Sequence, residues 1–440
     1  LREAFEKLNK EKLPVTAAEA LLAWLQVYPL KDFNTASTAD FTHSLALIWP
    51  DIRILAEEQP IALSSTPPEE EDNRSFLAHL FGLNHPHLNI AFVYDCDPEK
   101  SPWVTAHELG RRELEACMGS QITVKSYLCA GKDPYEVMKS AISEGVNVIF
   151  APTPTLIDDC RRIAALHPDV RVFNCALCLP YAGVRSYYSR MYEVKFITGA
   201  IAGAMATDNE IGYVANYPIM GVPAAINAFA LGAQLTNPRA KVHLRWSCLS
   251  EYPVGEFLVD GISVISNRES TGESPHRAWD WGTYMVKDDG SLQALASPRW
   301  EWGQFYLKMV KSIMSGALDA EHPKDTDKAV NYWWGLSSGV VDVELSGDLP
   351  EGVRQLALIL RHGIVNNLID PFHRVIRDQS GVVRNDGKQW FSKEELMNMD
   401  WLCENVVGEI PRYDQLLPKS QALVRVLGLY RDDIPPEETK

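Results

Sequence analysis

Long hydrophobic runs are absent from this sequence of 440 residues. No apolar stretch approaches the ~20 residues that a membrane-spanning helix requires. The longest weakly polar stretch, residues 196–206, is rich in Gly and Ala and is interrupted by Thr198. This composition predicts a helix packed tightly inside a fold, and we expect no membrane span.

Positive charge is also scarce. The chain has 42 Lys and Arg against 58 Asp and Glu, which gives a net charge of −16. Neutralising the phosphates of a nucleic acid requires clustered basic side chains, and the sequence contains no basic run. The charge pattern therefore excludes a nucleic-acid-binding surface.

Motifs that carry catalysis are missing. The sequence contains no G-x-S-x-G, no H-E-x-x-H, no Walker loop and no G-x-G-x-x-G after its first predicted strand of the α/β region. The eleven histidines are scattered. We therefore expect neither an enzyme nor a bound cofactor.

Cysteine usage argues against metal and disulfides. Most of the eight cysteines lie in apolar runs, and only Cys175 and Cys178 form a C-x-x-C pair. A zinc site would need a second pair or a matching His pair, so we expect no metal. Buried free thiols are typical of a reducing compartment. We expect a cytoplasmic protein, with export after removal of a signal peptide as the alternative.

The ends of the chain differ in composition from its middle. Residues 1–64 are predicted to be a helical segment, with a capping box at Thr16 and a second helix over residues 40–55. Residues 65–87 are predicted to be a linker, rich in Pro and acidic residues, with a short helix. Residues 431–440 are a polar tail.

Residues 88–430 alternate between strands and helices. Apolar strands are predicted over 88–94, 122–128, 146–151 and 170–176, and amphipathic helices lie between them. Continuous apolar strands separated by helices indicate a parallel sheet with both faces covered.

The alternation of strands and helices is interrupted near Tyr188 and then resumes. A helix rich in small residues over 192–206 precedes strands over 211–215, 242–246 and 262–266. We predict an α/β fold of two Rossmann-like lobes, lobe one at about 88–188 plus C-terminal returns and lobe two at about 211–298. The lobes should be joined by crossings near Tyr188 and residues 298–302. A strand pair is predicted around residues 332–344, and residues 382–388 are predicted to form a hairpin with an Asp386-Gly387 turn.

Ligands in open α/β sheets bind beyond the carboxyl ends of the strands, so polar and aromatic residues there are candidates. In the region of lobe one, Trp103 either stacks on a flat ligand ring or holds its loop onto the following helix. Arg268 and Glu269, after a strand of lobe two, either bind ligand hydroxyls or form a surface ion pair. The predicted ligand-binding residues are Asp95, Lys100, Trp103, Thr153, Tyr188, Tyr217, Asn227, Arg268, Glu269, Tyr284 and Trp302. For Trp302, packing in the core or hinge is the alternative.

Several segments in this order resemble the basic membrane protein family, the nucleoside-binding branch of the type I periplasmic-binding fold. The most specific is residues 187–196 (YYSRMYEVKF), followed by Gly199 and Gly203. Further matching segments are residues 91–94 with Trp103, 211–214 (IGYV), 226–229 (INAF), 332–335 (YWWG), 339–342 (GVVD), 399–401 (MDW) and 406–408 (VVG).

The resemblance implies a receptor that holds a nucleoside, a nucleobase or a related heterocycle between two closing lobes. An enzyme acting on such a ligand and a regulatory protein with a degenerate pocket are the alternatives. Two departures bear on the ligand. Lys100 stands where the family commonly has an Asp that binds the purine, and the segment Gly282-Thr283-Tyr284 lacks the family's ribose-binding acid.

The family commonly delivers its ligand to a membrane transporter. The cysteines and the N-terminal segment of this chain resemble a minority branch expected in the cytoplasm, where such a fold would act as a sensor. A homo-oligomer or an additional N-terminal domain is compatible with the sequence.

Overall fold

A computed structural model describes residues 60–67, 87–177, 179–181, 183–251, 253–267, 282–318 and 329–430. The helices predicted before residue 60, most of the linker and the polar tail lie outside these ranges. The described residues build two seven-stranded sheets, one in each lobe. The prediction of a two-lobed α/β fold is confirmed.

The lobe-one sheet is entirely parallel, in the order β1-β12-β6-β5-β4-β2-β3. Helices cover both of its faces, which is why β2 and β4 consist of buried apolar residues. Its strands are β1 (Ile61–Ser64), β2 (Leu88–Tyr94), β3 (Ile122–Leu128), β4 (Val148–Ala151), β5 (Arg171–Asn174), β6 (Val184–Ser189) and β12 (Ala329–Trp334).

The lobe-two sheet is mixed, in the order β13-β11-β10-β9-β7-β8-β16. Its β7, β8, β9 and β16 run parallel, and β10, β11 and β13 add antiparallel pairings at one side. These strands are β7 (Glu210–Ala215), β8 (Lys241–Trp246), β9 (Val264–Ser266), β10 (Thr283–Val286), β11 (Leu292–Trp300), β13 (Val341–Leu345) and β16 (Val406–Val407).

The helices begin where capping side chains and prolines favour them. Ser101 caps the helix that Pro102 starts, and Asp133 caps the one that Pro134 starts. The helices are α1 (Pro102–Met118), α2 (Pro134–Ser143), α3 (Ile157–Leu166), α4 (Met191–Met205), α5 (Val222–Thr236), α6 (Pro253–Val259), α7 (Trp302–Ser315), α8 (Glu351–Val365), α9 (Lys393–Met397) and α10 (Pro418–Leu427).

Helices α4 and α5 pack against each other at very short distance in lobe two. A Cβ added at Gly199 would collide with the carbonyl of Phe229, and one at Gly232 would collide with the carbonyl of Phe196. This close approach explains the small-residue composition of residues 196–206, whose predicted burial in the fold the structure confirms.

Within the described ranges, the chain crosses between the lobes three times. The first crossing, residues 189–191, leads from β6 to α4, and the second, residues 300–302, leads from β11 back to α7 in lobe one. Both were predicted. The third, residues 334–341, leads from β12 to β13. The two strands predicted around residues 332–344 thus belong to different sheets.

The C-terminal part of the chain packs on lobe two and reaches lobe one. Helix α8 lies on α4, and β16 extends the lobe-two sheet beside β8. Helix α10 ends beside Met220, whose N–H donates to the carbonyl of Leu427. The same helix contacts the 3-10 turn Pro154–Leu156 of lobe one. It therefore touches both lobes.

Two local predictions were wrong. Residues 61–64 were assigned to the helical segment, but they form β1 and pair with β12. A hairpin with its turn at Asp386-Gly387 was also expected. The hairpin instead pairs β14 (Val375–Arg377) with β15 (Val383–Asp386), so residues 378–382 make the turn and Asp386 ends the second strand.

Among the described residues, none of the helices has the length and apolar character that a membrane crossing requires. The same part of the chain contains no group of three or more His, Cys, Asp or Glu suited to a metal ion.

Candidate ligand-binding site

Three aromatic side chains form the partly exposed edge of the lobe-one core near the crossings. Trp103, Tyr188 and Trp300, here named the aromatic platform, are half-buried and pack against that core. The rings of Trp103 and Tyr188 lie face to face, with centroids 6.0 Å apart and planes at 28°. Trp300 meets Trp103 edge-on at 5.1 Å. Such a surface can stack on a flat ring or on the apolar face of a sugar.

Trp103 is held in place from several sides. Its indole N–H donates to the carbonyl of Pro152, 2.9 Å away, in the loop that follows β4. The rings of His107 and Trp302 contact it edge-on at 4.8 Å and 5.8 Å. The ring is therefore positioned before any ligand arrives, which lowers the entropic cost of stacking.

A buried network lies behind the platform. His107 stacks on Trp302 at 4.6 Å, and its Nδ1 lies 2.6 Å from the hydroxyl of Tyr306. That hydroxyl is 3.0 Å from the hydroxyl of Tyr187. Burial holds the pKa of His107 well below its ordinary value, so the imidazole is neutral. The network supports the platform without placing a charge beneath it.

A row of polar groups lies next to the platform, at the carboxyl ends of β2, β4 and β5. The hydroxyl of Thr153 donates to Asp95 Oδ1 at 2.8 Å. The amide of Asn174 donates to the carbonyls of Ala151 and Thr153, both at 3.0 Å. Asn174 Oδ1 is buried and accepts no hydrogen bond from the described residues. Carboxylate and amide oxygens here suit a ligand with N–H or O–H donors.

The crossings are tied to one another by hydrogen bonds at Ser189. Its hydroxyl lies 3.0 Å from the indole nitrogen of Trp300, and its carbonyl accepts from the indole of Trp333 at 3.1 Å. One residue of the first crossing thus bonds to the ends of the strands that lead into the second and third. This joins the platform directly to the hinge.

Glu193 fixes the third crossing. Its carboxylate accepts from the N–H of Leu336 at 2.7 Å and lies 3.1 Å from the guanidinium of Arg190. Burial raises the pKa of Glu193, while the charge of Arg190 opposes that rise. A side chain added at Gly335 would collide with this carboxylate. The hinge is therefore closely packed.

On the lobe-two side, the strand ends carry small polar groups. Asn216 and Tyr217 follow β7 and are half-buried, and the hydroxyl of Ser247 donates to Asn216 Oδ1 at 3.4 Å. Asn267 follows β9 and is buried, and its N–H donates to the carbonyl of Gly282 at 2.7 Å. Tyr217 therefore remains a predicted contact from this lobe.

Four of the predicted residues are brought together by the structure. Trp103 lies against Tyr188, and Asp95 is hydrogen-bonded to Thr153. The two pairs are adjacent because Trp103 also bonds to Pro152, the residue before Thr153. Trp103 thus fastens the loop, which is the second alternative, and its ring stays partly exposed, so stacking on a ligand remains a prediction.

Three predicted contacts were wrong. Asn227 is fully buried, and its amide binds the carbonyl of Trp401 and the N–H of Cys403 in the C-terminal segment. Tyr284 is 1% exposed in an apolar cluster with Phe257. Trp302 is 1% exposed beneath Trp103. These side chains support the structure and are not accessible to a ligand.

Lys100 is exposed at the end of a 3-10 turn, and its ammonium makes no hydrogen bond or ion pair to a described residue. Nothing in its surroundings supports the expected ligand contact. Arg268 and Glu269 lie outside the described residues.

Two features of the site were missed at first. Trp300 was not among the predicted ligand-binding residues, although it ends β11 directly before a crossing and packs on Trp103. Asn174 ends β5, and the rule that directs attention to the carboxyl ends of strands applies to it as well.

In the described residues, two lobes with parallel strands are joined by three crossings, and an aromatic and polar site lies at the strand ends of lobe one. This is an α/β fold of the type I periplasmic-binding-protein kind. Residues 87–248 match the model of the Bmp family, described as ABC transporter substrate-binding protein PnrA-like. The resemblance to the basic membrane protein family is thereby confirmed.

Three relatives extend this finding. The chain is 26% identical over 348 residues to a purine-binding protein of Brucella abortus, covering 74% of this chain and 94% of the relative. It is 24% identical over 337 residues to a putative ABC transporter glucose-binding protein of Haloferax volcanii, covering 74% and 81%. The crystal structure of a transcriptional activator of the comK gene from Bacillus halodurans has the same fold, with a TM-score of 0.52 at 17% identity over 64% of this chain and 99% of that one.

Proposed function

We propose that this protein binds a planar polar heterocycle, such as a purine base or nucleoside, in the cleft between its two lobes. The observation that carries the proposal is the aromatic platform, in which Trp103 is fixed in position yet remains partly exposed. The purine-binding relative supports the same ligand class.

The polar groups at the carboxyl ends of β2, β4 and β5 restrict which ligands can bind beside the platform. The half-buried Asp95 presents carboxylate oxygens beside the platform, whereas Asn174 Oδ1 is enclosed behind it. A purine carries ring and amino N–H donors at the edge of a flat ring, so it can stack on Trp103 while its edge donates to Asp95. Lys100 is exposed, so a ligand contact at the position of the family's purine-binding Asp has no structural support.

Closure on the ligand follows from differential affinity. A ligand that contacts both the platform and the strand ends of lobe two binds the closed arrangement more tightly and shifts the population toward it. The hydrogen bonds at Ser189 connect the platform to the crossings about which such a movement turns.

A thermal-shift screen tests the proposal, with purine bases, purine nucleosides, pyrimidines and glucose as ligands. A ligand at a hundredfold excess over its dissociation constant raises the free energy of unfolding by ~2.7 kcal/mol. We expect a shift with a purine compound and none with glucose. A shift with glucose alone would assign the cleft to a sugar, and no shift with any compound would favour a regulatory protein with a degenerate pocket. Product formation from a bound nucleoside would favour an enzyme.

We further propose that the protein acts as a sensor in the cytoplasm. The support is that the seven described cysteines are free thiols, which suits a reducing compartment. Mass measurement after alkylation of the natively expressed, denatured and unreduced protein tests this proposal. Full alkylation is expected, and disulfide-linked pairs would contradict it.

A further inference from the structure

An exposed apolar surface lies in the C-terminal part of the chain. Five large apolar side chains within residues 368–390 are at least 45% exposed, namely Leu368, Val375, Val382, Val383 and Trp390. They are here named the hairpin surface. Single exposed apolar residues are ordinary, but several close together mark a place where something binds.

The pairing of the two hairpin strands determines which side chains are exposed. Ile376 and Asn385 are paired and buried on the inner face. Val375 precedes Ile376 and points to the outer face because side chains alternate along a strand. A register shift after Ile376 pairs Val383 with the exposed Arg377, so Val383 is 45% exposed as well. The next turn of chain adds Trp390, whose ring stacks on His373 at 4.5 Å with planes at 12°. The indole therefore has a fixed orientation although it is 58% exposed.

The charge around this surface is opposite to that of the whole chain. Residues 368–393, which hold the whole surface, contain five Arg and Lys against three Asp, a local net charge of +2, while the chain as a whole carries −16. A partner for this surface should therefore be apolar and acidic.

The N-terminal part of the chain enters the described structure close by. Strand β1 pairs with β12, and the ammonium of Lys393 donates to the carbonyl of Leu63 at 3.2 Å. Lys393 follows Trp390 by three residues, which span at most ~11 Å when extended. The residues before Pro60 therefore start within reach of the hairpin surface.

The sequence directly before β1 has the matching chemistry. Residues 40–58 contain four acidic residues and one Arg, a net charge of −3. A helix is predicted over residues 40–55. The large apolar residues of this segment are Phe41, Leu45, Leu47, Ile48, Trp49, Ile52, Ile54 and Leu55.

We propose that residues 40–58 of this chain dock on the hairpin surface of the same molecule. Apolar side chains of the segment cover Trp390 and the exposed valines, and its acidic residues face the basic surroundings. The strand β1 acts as the tether that gives the segment a high local concentration at this surface.

Photo-cross-linking of the full chain tests the proposal. Benzoylphenylalanine is placed at position 390, with the same residue at position 259 as a control, because Val259 is 87% exposed on lobe two. Equal amounts of isotope-labelled and unlabelled chains are mixed before irradiation. We expect cross-links from position 390 to residues 40–58 within one chain and none from position 259. Cross-links between labelled and unlabelled chains, or none to residues 40–58, would overturn the proposal.

Hydrogen exchange provides a second measurement that does not alter the hairpin. Ile48→Asp is compared with Ser44→Asp, which adds the same charge at a polar position of the same segment. We expect the amides of residues 375–386 to exchange roughly fivefold to tenfold faster in Ile48→Asp, because local opening becomes easier when the cover is weakened. Equal exchange rates in the two variants and the unaltered chain would contradict the docking.

Discussion

The rings of Trp103 and Tyr188 lie face to face with their centroids 6.0 Å apart. Ring atoms in contact are separated by ~3.5 Å, so a flat ligand between two rings needs about 7 Å. A heterocycle entering this pair must therefore move the rings apart, because their centroids are only 6.0 Å apart. It can alternatively stack on an outer face of the pair and leave the distance unchanged.

Replacing Trp103 by Ala should weaken the binding of a purine ligand by roughly tenfold to a hundredfold, because base–aromatic stacking contributes ~1–3 kcal/mol. Isothermal titration calorimetry measures the change. The control is Trp390→Ala, which removes an exposed indole from the C-terminal hairpin region. It should leave affinity unaltered, and equal losses in both variants would count against the platform.

Replacing Lys100 by Asp should change ligand affinity by less than roughly threefold. The side chain is exposed and makes no hydrogen bond or ion pair to a described residue, and exposed charges contribute ~0–1 kcal/mol. The same calorimetric titration checks this. A tenfold gain for purine nucleosides would instead show that position 100 faces the ligand.

Replacing Glu193 by Ala should lower the free energy of unfolding by ~3–5 kcal/mol. The change leaves the Arg190 side chain, which is 15% exposed, without its carboxylate partner and the buried N–H of Leu336 without an acceptor. Denaturant unfolding followed by circular dichroism measures this. Glu115→Ala is the matched control, since that carboxylate pairs with Arg111 while 54% exposed. Its loss should stay below ~1 kcal/mol.

Replacing Gly199 by Ala should lower the free energy of unfolding by ~1–3 kcal/mol or more, because the new methyl group overpacks the contact with the carbonyl of Phe229. Gly347→Ala serves as the control, as an added Cβ there meets no atom within 4 Å. The midpoint temperature of thermal unfolding should be clearly lower for Gly199→Ala than for Gly347→Ala. A similar stability for both would mean that α4 and α5 move apart at little cost.

The stability of the protein should also depend on pH through Asp159. Burial, together with the neighbouring Asp133, raises the pKa of Asp159 to about 6. The unfolded chain, with a pKa of ~3.9, loses this proton first, so the contribution is fully present below about pH 4 and is lost as the pH rises to about 6. Asp159→Asn should be more stable than the parent at pH 7 and no more stable at pH 4. If the difference in stability between Asp159→Asn and the parent is the same at pH 4 and pH 7, the raised pKa of Asp159 does not affect stability.

The parts of the fold that the sequence predicts best are those set by local pattern. The bounds of β2 and β3 were predicted without error, because each is a run of strand-forming residues followed by a turn. Strand β1 was missed because its four residues are stabilised only by pairing with β12, far along the chain. The hairpin turn was misplaced because Asp378 determines it by accepting from the N–H groups of Ser380 and Val382.

In the candidate site, too, the features set by local sequence order were predicted and those set by remote contacts were not. Trp103, Tyr188, Asp95 and Thr153, which the structure brings together, were predicted because the rule about strand ends needs only the order of elements. Asn227 was assigned wrongly because its partners, Trp401 and Cys403, are remote in sequence. A polar side chain that fastens a distant segment has no local signature.

The third crossing has a consequence for how this chain is made. Strand β12 is synthesised only after β7 to β11 of the other lobe, yet it takes the place beside β6 in the lobe-one sheet. A nascent chain released before residue 329 therefore carries β6 with one side unpaired, and an open strand edge is a template for wrong association. At ~5–20 residues per second, the ribosome leaves that edge open for several seconds, a period in which chaperones have access to an otherwise completed half.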